Sequence, residues 1–251
     1  LYDEEVFINT YTYTGDLGVI LDKTENTTTF RLWAPISTKV ELILYNDGNY
    51  FDELSFPEEV VPMERIENGV FEVVKNTNLS GKYYTFKVYN GDDVNEVTDP
   101  YAYSTGVNGM RGLVVDFDSL NPEGWQYNSR PNNVTNWADY IIYELHVRDL
   151  TTHDSWNGTE ANRGKYLGLA ETGTTYTNEE TNVTVSTGFD HIKELGVNAV
   201  QLVPVFDYVI IDETKLENNE FNWGYMPQNY NTLEGSYSAD PYDGEVRVNE
   251  F

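Results

Sequence analysis

The chain has 251 residues, with 15 Lys plus Arg against 42 Asp plus Glu, and so a formal net charge of −27. A surface this acidic repels phosphate backbones and anionic lipid, which sets aside nucleic acid and membrane surfaces as partners and leaves a neutral polymer compatible. The lack of Cys excludes disulfides, thiolate metal sites and a Cys nucleophile, the three His are too scattered for a metal cluster, and no apolar run approaches the roughly 20 residues that cross a bilayer.

Leu1 opens directly into acidic sequence with no signal-peptide pattern. The first half then reads as β. "TTTFRLWAP" alternates, with Phe30 and Leu32 on one side and Arg31 and Trp33 on the other. "KVELILY" repeats the pattern through Val40, Leu42 and Leu44. "NGVFEVV" follows an Asn-Gly turn signal at Asn68 and Gly69, and "KYYTFKVYNGDDVNEVT" reads as a hairpin turning near Asn90-Gly91. Short alternating strands at this spacing predict an antiparallel β-sandwich, with no helical period before about residue 115. Trp33 is expected in the sandwich core or between domains.

Residues 121–137, "NPEGWQYNSRPNNVTNW", form a polar connector rich in Pro and Asn. Beyond it, Tyr140 to Val147 is nearly continuously apolar apart from Glu144 and His146, as in a strand covered on both faces. A polar stretch from Thr151 to Thr187 follows. "GFDHIKELGV" then predicts a helix with Phe189, Ile192 and Leu195 on one face and Gly196 at its end. "NAVQLVPVFDY" is a second buried strand, stopping near Pro204, so strand, helix and strand make one βαβ unit. Two such strands need neighbours, because their open edges would pair promiscuously. The second half is therefore expected to belong to a larger folding unit.

Residues 221–238, "FNWGYMPQNYNTLEGSYS", hold four aromatic rings in the first ten positions and read as a loop, too polar for a buried strand and too rich in Gly, Pro and Asn for a helix. The whole chain carries 20 Tyr and 5 Trp. Aromatic faces stack on the weakly positive C–H faces of sugars, although most of these Tyr are expected to serve sheet surfaces and cores.

"YTGDLGVI", "TTTFRLWAP", "EVTDPYAYSTGVNGMRGLVVDF", "IIYELHVRDLT", "GFDHIKELGVNAVQLVPVFDY" and "FNWGYMPQNYNTLEGSYSADP" occur in the order seen in type I pullulanases. The chain resembles that family, α-1,6 debranching members of the α-amylase superfamily, over essentially its whole length. The resemblance implies a β-sandwich followed by the start of a (β/α)8 TIM barrel: residues 1–125 as a family-48-like starch-binding sandwich, 126–137 as a linker and 138–251 as the N-terminal part of the barrel. "IIYELHVRDLT" would be barrel strand 1 and "NAVQLVPVFDY" strand 2, with active-site loops at the C-terminal ends of such strands. The family motif YNWGYDP reads here Phe221 to Pro227, with Phe221 in place of Tyr and Met226 in place of Asp.

By this resemblance Tyr225 forms the platform beneath the glucosyl ring being cleaved. Its face suits a flattened, positively charged oxocarbenium-like transition state. Trp223 and Asn222 are further substrate-binding candidates, or supports of the loop. Asp207, just after the second strand, is a fourth candidate, either touching substrate or holding a hydrogen-bond network. His146 and Arg148 are expected to be structural. Met226 replaces a carboxylate, so any ordering of the loop at this position rests on packing.

Retaining hydrolysis needs two carboxylates about 5 Å apart. In the family these follow later barrel strands, so no catalytic residue is assigned to this chain, and the chain by itself is expected to be inactive. No cofactor is required by the sequence; calcium is left open. The expected partners are an α-glucan (pullulan, starch or glycogen) and the remainder of the barrel, as a second chain or a further segment. The alternatives are a non-catalytic starch-binding fragment and another superfamily enzyme such as isoamylase, branching enzyme or trehalohydrolase. The composition suits a bacterial extracellular or cell-surface protein, with a cytoplasmic glycogen-debranching role as the alternative.

Overall fold

A computed structural model describes residues 4–129, 131 and 134–251. The opening Leu1 and part of the expected linker lie outside the described residues.

The N-terminal half contains two antiparallel sheets. One is ordered β1 (Gly18–Asp22), β2 (Thr27–Trp33), β6 (Val70–Lys75), β5 (Glu64–Arg65). The other is ordered β4 (Glu59–Pro62), β3 (Lys39–Tyr45), β7 (Tyr83–Asn90), β8 (Asp93–Val97), with β9 (Gly112–Leu113) also pairing with β7. Alternation along β2 buries Thr28, Phe30 and Leu32, and register sets Leu32 opposite Phe71 and Leu42 opposite Phe86. These side chains, with Val40, Leu44, Met63 and Tyr84, form one core between the sheets. Tyr84 donates to Asp99 Oδ2 at 2.7 Å inside it, and burial raises the pKa of both partners. Gly91, at φ 64°, lies in the two-residue turn between β7 and β8, where the Asn-Gly signal predicted one.

The C-terminal end of β3 departs from simple alternation: Ile43, Leu44 and Tyr45 are all buried. Ile43 and Tyr45 point away from the main core and pack with Tyr83 and Leu113 in a second cluster. That outer face is covered by the segment after β8 and by the second half of the chain. Tyr83 Oη accepts from Gly244 N–H at 3.0 Å, Ser104 Oγ donates to Gly244 O at 2.7 Å, and Asn229 Nδ2 donates to Gly109 O at 3.0 Å.

Two expectations for the first half change. Helix α1 (Glu5–Tyr11) exists, although its seven residues lack a side-chain N-cap and include two β-branched positions before its last Thr. Its Phe7 and Tyr11 rings, one turn apart, meet at 4.8 Å, a tertiary and local contact that propensity does not register. Trp33 is not a core residue. It is partly exposed, and its Nε1 donates to Tyr11 O at 2.8 Å, fixing the ring against α1.

After α2 (Phe117–Leu120), the second half is built on a parallel pair, β10 (Ile142–Leu145) with β13 (Ala199–Leu202), joined through α5 (Gly188–Glu194). Leu195 caps α5 and Gly196 follows at φ 71°, as the sequence required. The polar stretch between contains α3 (Asp149–Thr152), α4 (Tyr166–Ala170) and the hairpin β11 (Thr175–Thr177) with β12 (Thr184–Ser186). The expected burial of the parallel strands on both faces is not seen among the described residues: Ile142 is 59% exposed, and Ile141, Val200 and Leu195 are exposed with it. Residues 227–233 also correct the loop reading. They form β15 (Pro227–Leu233), which pairs irregularly with β14 (Phe206–Tyr208). Their polar character fits because much of the strand lies at the surface. Helix α6 (Gly244–Glu250) closes the described chain against the first half. Among the described residues no helix is long and apolar enough to cross a membrane.

Candidate functional site

Both parallel strands run toward the same end of the βαβ unit, where ligand sites of such sheets form. His146 to Arg148 leave β10 there, and Pro204 to Tyr208 leave β13. Residues 221–226 lie against these exits. Asn222 pins them: its Oδ1 accepts from Gly224 N–H at 2.8 Å, its Nδ2 donates to Val209 O at 3.0 Å, and its carbonyl accepts from His146 Nε2 at 2.9 Å. Tyr237 Oη lies 3.0 Å from the same ring nitrogen. Phe221 packs over the His146 ring with centroids 5.1 Å apart.

Gly224 makes the closest approach. It lies at φ +85°, and a Cβ there would sit 2.2 Å from Pro204 O. Gly224→Ala is therefore expected to lower stability by at least about 1 kcal/mol, read as a lower urea midpoint. An unchanged midpoint would show that the loop is not held against Pro204.

With its backbone fixed, the loop turns its rings outward: Trp223 is 67% exposed and Tyr225 62% exposed. Met226 is exposed too, so its side chain does not supply the packing expected in place of the family carboxylate; its carbonyl accepts from Val209 N–H at 3.3 Å. Asn222 acts as the loop's support. Asp207 differs from the expectation of substrate contact, since it is only 1% exposed and Asn229 Nδ2 donates to its Oδ2.

Asp207 instead belongs to a buried charge cluster that the sequence did not single out. The carboxylates of Asp207, Glu213 and Glu234 approach within 4.8 Å of one another. Arg247, fully buried, reaches Glu213 Oε2 at 3.4 Å. Glu213 also accepts from the N–H groups of Asn108 at 2.7 Å and Gly235 at 2.9 Å; Glu234 accepts from those of Tyr208 at 3.1 Å and Ser236 at 2.9 Å. Burial, then the Glu213 charge, pushes Asp207 up to about 7. Burial, then Glu213 and Asp207, pushes Glu234 up to about 8. Burial alone would lower the Arg247 pKa, but Glu213, Asp207 and Glu234 outweigh it and raise it.

This trio is the group of carboxylates among the described residues close enough to hold a cation such as the calcium left open by the sequence. The donor set fits poorly. Each carboxylate already accepts hydrogen bonds, and the Arg247 guanidinium supplies the positive charge from within, which a divalent ion would have to face. Nor is the trio a catalytic pair, because none of its members reaches solvent. Its evident work is to join the two halves of the chain, through Asn108 on one side and Glu213 on the other.

Residues 16–102 match the family Carbohydrate-binding module 48 (Isoamylase N-terminal domain). The entire chain aligns with a pullulanase of Bacillus subtilis (strain 168) at 34% identity, covering 31% of that protein. A pullulanase of Klebsiella aerogenes is 29% identical over 91% of the chain, which covers 26% of it. Among solved structures, the Paenibacillus barengoltzii pullulanase in complex with maltohexaose and alpha-cyclodextrin superposes with a TM-score of 0.89 at 40% identity, over 99% of this chain and 36% of that one. The matched residues 16–102 span most of the sandwich, which is thus similar to a carbohydrate-binding module of family 48. The chain as a whole corresponds to the N-terminal portion of pullulanases, and spans about a third of the length of the Bacillus relative, 31%.

Proposed function

We propose that this chain supplies the glucan-binding module and one wall of the substrate cleft of a pullulanase-type glycoside hydrolase that cleaves α-1,6 branch linkages in pullulan, starch or glycogen with retention. The observation that carries the reading is the loop at 221–226: a backbone fixed by Asn222 and Gly224 at the ends of two parallel strands, with two rings left open to solvent. Homology to pullulanases along the full chain supports it. In this reading residues 1–125 are the binding module, 126–137 the linker and 138–251 the opening of a (β/α)8 barrel. The exposed apolar side chains around Ile142 and Val200 are then covered by the further barrel strands. The nucleophilic and acid/base carboxylates come from outside this chain.

Tyr225 takes the glucosyl ring on its face, with Trp223 beside it, while Asn222 holds both in place; Asp207 stays buried, bonded by Asn229. The relatives crystallised with maltohexaose and maltotetraose bind neutral oligosaccharides, and a net charge of −27 is no obstacle to such a ligand here. A secreted or cell-surface location fits this activity.

In the enzyme containing this chain, Tyr225→Ala is expected to lower kcat by roughly tenfold or more with little change in thermal midpoint. An aromatic face at a desolvated cationic centre is worth on the order of 2 kcal/mol, and interactions made only in the transition state act on kcat. Tyr225→Phe should keep most of the rate. A lowered midpoint with kcat intact would make Tyr225 a packing residue and remove the platform.

A further inference from the structure

Only 15 of the 251 residues are Lys or Arg, yet four of them line one pocket of about 250 Å³. Arg148, Arg163, Lys165 and Lys215 face it, opposed by two lining carboxylates, Glu160 and Glu220. Asp212, Asp240 and Glu250 also act on these cations, so what the pocket offers is uncommitted donors rather than a surplus of charge.

Two of the four are neutralised. Arg163 Nε donates to Glu160 at 2.9 Å and its remaining N–H groups serve the carbonyls of Thr151, His153 and Trp156; Lys215 pairs with Asp212 at 2.8 Å. The other two have only neutral hydrogen-bond partners among the described residues. Arg148 donates to the Asn219 amide oxygen, leaving most of its five N–H groups uncommitted. Lys165 Nζ donates to Ser238 O at 2.6 Å, and burial lowers the pKa of this half-buried amine. Glu250 and Asp240 act on Lys165 from a distance, but among the described residues neither cation makes an ion pair, so an entering anion meets uncommitted donors.

We propose that this pocket binds a small oxyanion: phosphate, either free or as a monoester on a glucosyl unit. The planar fork of Arg148 suits bidentate contact with such a group and Lys165 adds a point charge. The volume accepts phosphate with a hexose attached, and the strongly negative remainder of the chain disfavours a large polyanion. Asn222 lines the pocket and also anchors the loop bearing Trp223 and Tyr225. A phosphorylated unit on a glucan lying across that loop would therefore fall at the pocket, a clause that rests on the glucan reading, whereas the oxyanion site itself does not.

The test is calorimetric titration of the 251-residue chain at pH 7.5 with inorganic phosphate, glucose 6-phosphate, glucose and maltotriose. Phosphate and glucose 6-phosphate are expected to bind, and Arg148→Gln to weaken both at least tenfold. Glu160→Gln, which releases Arg163 from its ion pair, should tighten both several-fold. Glucose should not compete with phosphate. Equal affinity for the two phosphates assigns the site to free phosphate, and tighter binding of glucose 6-phosphate assigns it to the ester. No binding of either phosphate at tens of millimolar, or binding indifferent to both substitutions, overturns the proposal. Maltotriose binding sensitive to Trp223→Ala reports on the glucan reading separately, so either idea can fail alone.

Discussion

Arg247→Met is expected to destabilise the chain by about 3–5 kcal/mol, the usual cost of removing one partner from a buried ion pair. The guanidinium is fully buried and its donors are spread over both halves: Nη1 donates to Leu233 O at 3.0 Å and Nη2 to Pro241 O at 2.8 Å, with Thr105 Oγ1 and Glu213 Oε2 each at 3.4 Å. Methionine fills much of the volume but leaves three carboxyls without a counter-charge and two carbonyls without a donor. The carboxyls would escape by taking up protons, so the loss should be greater at pH 8 than at pH 5. Arg247→Lys keeps the charge and loses the fork, and should fall between the two. Urea unfolding at both pH values measures this; a loss below about 1 kcal/mol at pH 8 would show that the cluster does not depend on Arg247.

The second large effect is on stability against pH. Asp207 and Glu234 have folded pKa values pushed up from 3.8 to about 7 and from 4.5 to about 8. Between those limits the folded chain holds protons that the unfolded chain has released, so stability is highest at the acid end and falls as pH rises through the window. Each group contributes a slope of up to about 1.4 kcal/mol per pH unit. Self-repulsion of a chain with net charge −27 acts in the same direction, so the discriminating experiment is the double substitution Asp207→Asn, Glu234→Gln. It should flatten the curve between pH 5 and 8 while leaving the milder repulsion. The same slope in wild type and double variant would mean that these two carboxyls titrate normally.

The sandwich was readable because its signal is local: Phe30 and Leu32, then Val40, Leu42 and Leu44, recur at every second position, and Gly91 marks its turn. The βαβ unit was readable for the same reason, down to the glycine after α5. Helix α1 was missed because seven residues offer too short a period and its support comes from Trp33, which lies on another strand. β15 was missed because a strand rich in Pro, Asn and Gln depends on its partner β14 rather than on its own composition.

At the site, Trp223 and Tyr225 stand out by motif, and both side chains are exposed. The pinning of that loop by Asn222 requires knowing that Val209 and His146 lie beside it. The buried cluster was opaque for a further reason. Among 42 acidic residues nothing local distinguishes Glu213 or Glu234; Glu213 is held by Asn108 and Arg247, far away in sequence, and Arg247 in turn meets Thr105.

The most direct measurement is product analysis after incubating pullulan with the enzyme containing this chain, following the anomeric configuration of the first-formed product by NMR. Maltotriose released by α-1,6 cleavage, with the α configuration retained, is the expected result. No hydrolysis of pullulan, cleavage confined to its α-1,4 bonds, or release of the β anomer would contradict a retaining debranching enzyme and leave the chain a glucan-binding fragment of another activity.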